Sequence, residues 1–266
     1  MKILSLIHPE SNEIENEFQE MKKKITQKVM ETLDRKQYLS LAYLSKVFNL
    51  TQFEKDAIII CLAPEIEKKY GKIFAYLNDD ITKKHATIEL ILSLTCHTRE
   101  ERFQAMQYLT RQSRLFKYEI LQMEDEKQED FESAQHQPVK LDERIVNFLL
   151  EIHGQDKEIV SFIDFSKLEL EDEDLVFCNQ ANLNNIIPNY LKKESANNRI
   201  LLNLHGPQGC GQRDASILMC KNSGLEVVFL DLAEIFAQKQ ASFERICGKA
   251  FREASLLGCC CISCKY

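Results

Sequence analysis

The chain has 266 residues, 44% hydrophobic and 28% charged, enough to bury a core and too apolar for an acidic disordered chain. Glycine supplies 8 residues and proline 5, well under the roughly 7% and 5% of average usage, which excludes collagen-like and low-complexity classes and predicts a helix-rich protein. The net charge of -7 is local: 11 of the 41 acids, with one base, fall in residues 124–132 and 169–174, leaving 30 acids against 33 bases and no dense basic stripe beyond Lys22–Lys24 and Lys83–Lys84.

From the N-terminus, Ile14, Phe18, Met21, Ile25, Val29 and Leu33 recur at spacings of three and four, predicting one amphipathic helix over 13–34. A short helix is expected over Leu39–Phe48. Thr51-Gln-Phe-Glu54 reads as a capping box opening a helix with Phe53, Ala57, Ile58, Cys61 and Leu62. Pro64 marks a break or a new first turn, Gly71 a helix end, and Ile73–Leu77 a short apolar segment running into Asn78-Asp-Asp80. The next helix, Thr87–Thr95, turns Ile88, Ile91, Leu92 and Leu94 inward. Thr98-Arg-Glu-Glu101 is a second capping box, opening a helix with Phe103 and Met106.

Leu115–Leu121 has strand-type content and runs into the acidic stretch Glu124–Pro138. Its partner strand is expected near Val139, and Asp142–Leu150 forms the following helix. Helices followed by a strand and a loop suggest a winged-helix arrangement. Gly154–Asn182 is polar and reads as a connector. From Asn198 the texture becomes α/β: an apolar run Ile200–Leu204, a glycine turn, a helix near Asp214–Asn222, a strand Glu226–Asp231, a helix with Phe243, Cys247, Ala250, Phe251, Ala254 and Leu257 on one face, and strand-like Cys259–Ile262. The fold class is thus mixed: a mostly α-helical, winged-helix-like domain over 1–153, an acidic connector over 154–197, and an incomplete α/β P-loop module over 198–266.

No apolar run approaches the ~20 residues of a membrane-spanning helix, and Met1–Glu10 lacks the pattern of a secretory signal, so a cytoplasmic, membrane-free protein is expected. Of the ten cysteines, Cys61, Cys96, Cys178, Cys210, Cys220 and Cys247 read as buried thiols. Cys259, Cys260, Cys261 and Cys264 contain only one C-x-x-C, and adjacent strand residues face opposite ways, so no metal site is expected there.

Chemistry concentrates in His205-Gly-Pro-Gln-Gly-Cys-Gly-Gln-Arg-Asp214, which lies between an expected strand and an expected helix. Gly206 and Gly211 have the spacing of G-x-x-x-x-G-K-[ST], in which backbone N–H groups wrap a phosphate, lysine neutralises it and a hydroxyl binds magnesium. Gln212 stands at the lysine position and Arg213 at the hydroxyl position, so the loop keeps its backbone pattern and loses both side chains. Two readings stay open: a glycine turn that merely joins strand to helix, or a decayed phosphate loop in which Gly206, Pro207, Gln208, Gly209, Cys210, Gly211, Gln212, Arg213 and Asp214 line a weak ATP or ADP site without magnesium. No acidic pair for magnesium follows on a neighbouring strand. Lys83, Lys84 and Arg99 invite a DNA-binding reading, but Glu89, Glu100, Glu101 and the acidic 124–132 stretch repel a phosphate backbone, so a protein partner is expected over nucleic acid.

Leu50–Asp80, with its Ala63-Pro-Glu, Tyr70-Gly and Ala75-Tyr-Leu-Asn-Asp-Asp80 wording, resembles the N-terminal winged-helix domain of bacterial tandem AAA-type ATPases. Gly206–Asp214 and Phe251–Leu257 resemble that family's first ATPase module. The resemblance implies a degenerate first module, hydrolysis by a second module that this chain lacks, an AAA-type oligomer or protein partner, and association with phage-tail-like contractile injection systems. It also implies a truncated product without catalysis of its own. The alternatives are a winged-helix nucleic-acid binder and an ATPase subunit that borrows magnesium ligands from a partner.

Overall fold

A computed structural model describes residues 9–35, 39–124, 136–152, 154–164, 204–205, 207, 211–237 and 243–264. The first region runs α1 (Pro9–Asp34), α2 (Ser40–Phe48), α3 (Gln52–Ile66), α4 (Lys68–Leu77), β1 (Ala86–Thr87), α5 (Ile88–Thr95), α6 (Arg99–Met106), a 3-10 turn (Gln107–Leu109), α7 (Arg114–Lys117), β2 (Leu121–Met123), β3 (Pro138–Leu141) and α8 (Glu143–Leu149). The second runs β4 (Ile163–Asp164), α9 (Gln212–Asn222), β5 (Val227–Asp231), α10 (Leu232–Ala237), α11 (Phe243–Leu257) and β6 (Cys260–Cys264).

Both capping boxes form. Thr51 accepts from the Glu54 amide while the Glu54 carboxylate accepts from the Thr51 amide at 2.7 Å, and Thr98 and Glu101 repeat the arrangement at the start of α6. These reciprocal bonds satisfy amides that a helix start otherwise leaves unpaired. The α3 and α5 helices then bury Ala57, Ile58, Cys61, Ile88, Ile91 and Leu92 in a core shared with Leu44, Phe48, Leu115, Ile120, Val139 and Ile145. Burial pushes the Cys61 thiol up to about 12, so it stays a neutral, apolar packing group.

A small antiparallel sheet of order β1-β3-β2 closes this core, with Ala86 opposite Val139 and Leu121 opposite Leu141. The second sheet has order β4-β5-β6. In it β4 runs antiparallel to β5, and β6 runs parallel to β5 with Val227 opposite Cys260. A parallel pair needs a crossover, and α11 lies in the connection from β5 to β6. Ile159, Phe162 and Ile163, from the start of the expected connector, pack with Val228, Leu230, Ile235, Ile246 and Ala250 in a second core. The remainder of that connector, 165–197, and the apolar run 200–203 lie outside the described residues.

Several sequence expectations are corrected. Gly71 does not end a helix: it sits buried within α4, where a Cβ would stand 3.4 Å from the Lys84 carbonyl oxygen, and the chain turns instead at Asp79 with φ 53. Pro64 lies in the last turn of α3 rather than at a break. Leu115–Lys117 is helical, and β2 begins only at Leu121, after a left-handed turn at Glu119. Leu94 and Phe103 are exposed, and α6 instead buries Ala105.

The expected face of α11 is rotated. Ala250 and Ala254 are buried, but Phe243, Phe251 and Leu257 are exposed, and Phe243 stacks on Phe236 at 4.5 Å. The buried face carries Ile246, Lys249, Arg252, Glu253 and Leu256. The partners of those charged groups give the physical reason.

Candidate functional site

Three places bear on function: the glycine-containing loop before α9, the buried charges on α11, and the exposed charges on α6 and around β1 and the β2–β3 hairpin. In the loop, Pro207, Gly211, Gln212, Arg213 and Asp214 are described, while Gly206, Gln208, Gly209 and Cys210 lie outside the described residues. Gly211 caps α9 with φ 82 and ψ 25, a left-handed conformation that suits glycine, so α9 opens directly from the turn. The Gln212 side-chain amide donates to the Pro207 carbonyl at 3.1 Å, closing the loop on itself. Arg213 places its guanidinium 4.4 Å from the centre of the Phe229 ring on β5, and Asp214 falls in the first turn of α9. Gln212 is neutral at the lysine position, and the positive charge of Arg213 lies against the Phe229 ring. Backbone amides at the start of α9 remain as the groups suited to an anion.

The α11 charges form a closed set at the contact with the first region. Arg252, 0% exposed, reaches Asp156 at 2.6 Å and Asp142 at 3.0 Å, and donates to the Glu119 carbonyl. Lys249 bridges Asp142 at 2.8 Å, Glu158 at 3.1 Å and Asp156 at 3.3 Å. Arg144 of α8 grips Glu253 at 2.8 Å through a two-nitrogen contact. In the buried part of the set Asp142, Asp156 and Glu253 thus offset Lys249, Arg252 and Arg144, and at its exposed rim Glu158 also takes Arg245 at 3.1 Å. Burial pushes the Asp142 carboxyl up, but Arg252 and Lys249 outweigh it and hold it below the ordinary carboxylate range. Burial likewise pulls Lys249 down, and hydrogen bonding and attraction from Asp142, Asp156 and Glu158 more than reverse it.

Apolar and polar contacts surround this set. Leu256 enters the first core, and the Tyr43 hydroxyl donates to the Leu256 carbonyl at 3.1 Å. A Cβ on Gly248 would meet the Lys117 carbonyl oxygen at 2.6 Å, so only glycine allows the backbones to approach this closely. The sequence offered no short-range signal for any of this, because the partners stand 96 residues apart for Asp156 and Arg252 and 109 for Arg144 and Glu253.

On the third surface, Arg99 opens α6 beside exposed Glu100, Glu101 is engaged in its capping box, and Arg102 bridges Glu89 at 2.5 Å. Lys83 and Lys84 precede β1. Glu124, where the hairpin leaves β2, holds His85 at 3.0 Å and Lys140 at 3.3 Å. Phe103 is 81% exposed on α6. Among the described residues, no group of three or more His, Cys, Asp or Glu is arranged to hold a metal ion, and no helix is long and apolar enough to cross a membrane.

A helix, a short strand, the helices α5, α6 and α7, and a β2–β3 hairpin returning beside that strand define a winged-helix protein. A family model described as winged helix domain, variant, matches residues 6–163, more than half of the chain, and the chain belongs to that family. No curated protein and no solved structure matches it.

Proposed function

We propose that this chain is the interaction and regulatory part of an AAA-type ATP-binding protein. In this reading the winged-helix domain docks a protein partner, and α11 couples it to a nucleotide-binding unit that takes ATP or ADP weakly and does not hydrolyse it unaided. The observation that carries the coupling is the buried charge set, since α11 is both the crossover between β5 and β6 and the element held by Asp142, Arg144 and Asp156.

The nucleotide half rests on the loop. Gly206, Gly209 and Gly211 would offer backbone amides to the phosphates, with Gln212, Arg213 and Asp214 beside them. Support comes from the left-handed Gly211 opening α9 and from a parallel strand pair beside it. Gln212, bonded to Pro207, brings no positive charge, so no step of phosphoryl transfer is assigned to this chain. Magnesium finds no hydroxyl at position 213, and the Asp231 carboxylate accepts from the Glu234 amide at 3.0 Å.

A protein partner is favoured over nucleic acid by charge. The hairpin connection carries Asp125, Glu126, Glu129, Asp130 and Glu132 against Lys127, and α6 balances Arg99 and Arg102 with Glu100 and Glu101. Calorimetric titration of the 266-residue chain with ATP and ADP, with and without magnesium and beside a phosphate-release assay, tests the reading. Binding without turnover supports it. Absence of binding removes the nucleotide half, and clear turnover refutes the role given to Gln212. Salt-dependent capture of duplex DNA would instead favour a nucleic-acid binder.

A further inference from the structure

The 26-residue α1 helix would be about 39 Å long, and every described side chain from residue 19 to 31 is exposed, including Met21 at 61%, Ile25 at 57% and Met30 at 62%. Over residues 19–31 the apolar stripe of Met21, Ile25 and Val29 thus stands in water and gains nothing from tertiary packing, which is the main source of helix stability in proteins. Ile14, Phe18, Met21 and Ile25 are spaced by four, three and four residues, the seven-residue repeat of a two-helix seam.

The charges along α1 say what covers that seam. Residues 10–20 hold five acids and no base, whereas residues 22–28 hold four bases and no acid. Laid antiparallel on a second copy, the register sets position 21 against position 18 and position 25 against position 14, apolar against apolar in the sequence. The flanking positions then oppose Glu17 to Lys24 and Glu15 to Lys22, and two-fold symmetry repeats each pair. Laid parallel, Glu17 would face Lys22, but Glu10 would face Glu15, so gain and loss cancel. We propose that α1 is a self-association element whose partner is α1 of a second copy of this chain, in antiparallel orientation. This inference is independent of the nucleotide reading.

Sedimentation of the full chain at low salt, over a range of concentrations, tests it. The unsubstituted chain is expected to form dimers, and Ile25→Asp to abolish them. Lys24→Glu sets Glu17 against a new acid and should weaken association roughly tenfold, as should Glu17→Lys. Combining Glu17→Lys with Lys24→Glu restores opposite charges and should recover the dimer. A parallel pair predicts a different pattern, with Lys24→Glu harmless and the combined variant still weakened, and that pattern would overturn the proposal. A chain that stays monomeric at every concentration would overturn it as well. Because these side chains are exposed, helix content measured by circular dichroism should be the same for all variants under dimer-free conditions.

Discussion

Replacing Arg252 with methionine removes the central cation of the buried charge set while keeping a long apolar side chain in place. Asp156 loses its 2.6 Å contact and Asp142 its 3.0 Å contact, and the cation both still share is Lys249, at 3.3 and 2.8 Å, beside neutral donors: Gln122 and the Arg144 amide on Asp142 and the Glu158 amide on Asp156. The cluster then holds one uncompensated negative charge out of water. Breaking a buried pair in this way costs about 3–5 kcal/mol. With a typical urea dependence, that loss lowers the unfolding midpoint by about 2 M. The chain has no tryptophan, so far-UV circular dichroism in a urea titration is the suitable assay. A companion Asp156→Asn variant closes a double-mutant cycle, and a coupling of about 1–3 kcal/mol is expected because the two groups touch. A loss below about 1 kcal/mol for Arg252→Met, or a coupling near zero, would refute the argument that these ions act as one set.

Gly248→Ala should destabilise by about 1–3 kcal/mol, since its new methyl meets the Lys117 carbonyl oxygen at 2.6 Å; a neutral result in the same titration would mean that α11 shifts freely. Thr98→Ala removes one half of a capping box and should cost about 1 kcal/mol, read as a lowered midpoint with α6 amides exchanging faster with solvent. Stability should form a plateau against pH. The Asp142 carboxyl is held low in the fold, so its contribution is present above the ordinary carboxylate range and is lost as pH falls through its lowered value, below about pH 4. The Lys249 ammonium is held high, so its contribution is complete below the ordinary lysine value and is lost as pH rises past about 10. Glu119, raised by burial against the pull of Arg245, Lys249 and Arg252, acts with the opposite sign in the acid range and softens that edge. Thermal melts across the range check the plateau.

Local signals were legible wherever the chemistry is local. Thr51 and Thr98 each sit three residues before the glutamate that completes their cap, so the two helix starts could be read directly. The strand at Val139, a last strand read at Cys259–Ile262 and found at Cys260–Cys264, and the turn at Gly211 also follow from short-range pattern, and the alternation of strands with helices points to the parallel pairing. Gly71 lies buried inside α4 without a positive φ, and its neighbours in sequence do not separate that placement from a helix end. On α11, Lys249, Arg252 and Glu253 resemble a solvated face, and only partners near residues 142–158 reverse that reading. Apolar spacing accordingly puts the buried face on Phe243, Cys247, Ala250, Phe251, Ala254 and Leu257, of which Ala250 and Ala254 are buried and Phe243, Phe251 and Leu257 are exposed. The loop before α9 is visible in the sequence as a spacing of glycines, and nothing in its residue types shows that Gln212 turns back to Pro207.

Contact between Arg252 and Asp156 across 96 residues also orders events during synthesis. At about 5–20 residues per second, a ribosome needs roughly 5–20 s after making Asp156 before Arg252 exists. Throughout that interval Asp142, Asp156 and the place filled by Leu256 stay open to water or to a chaperone. The stretch recognisable by its homology, residues 6–163, is therefore shorter than the stretch that must emerge before the fold can finish.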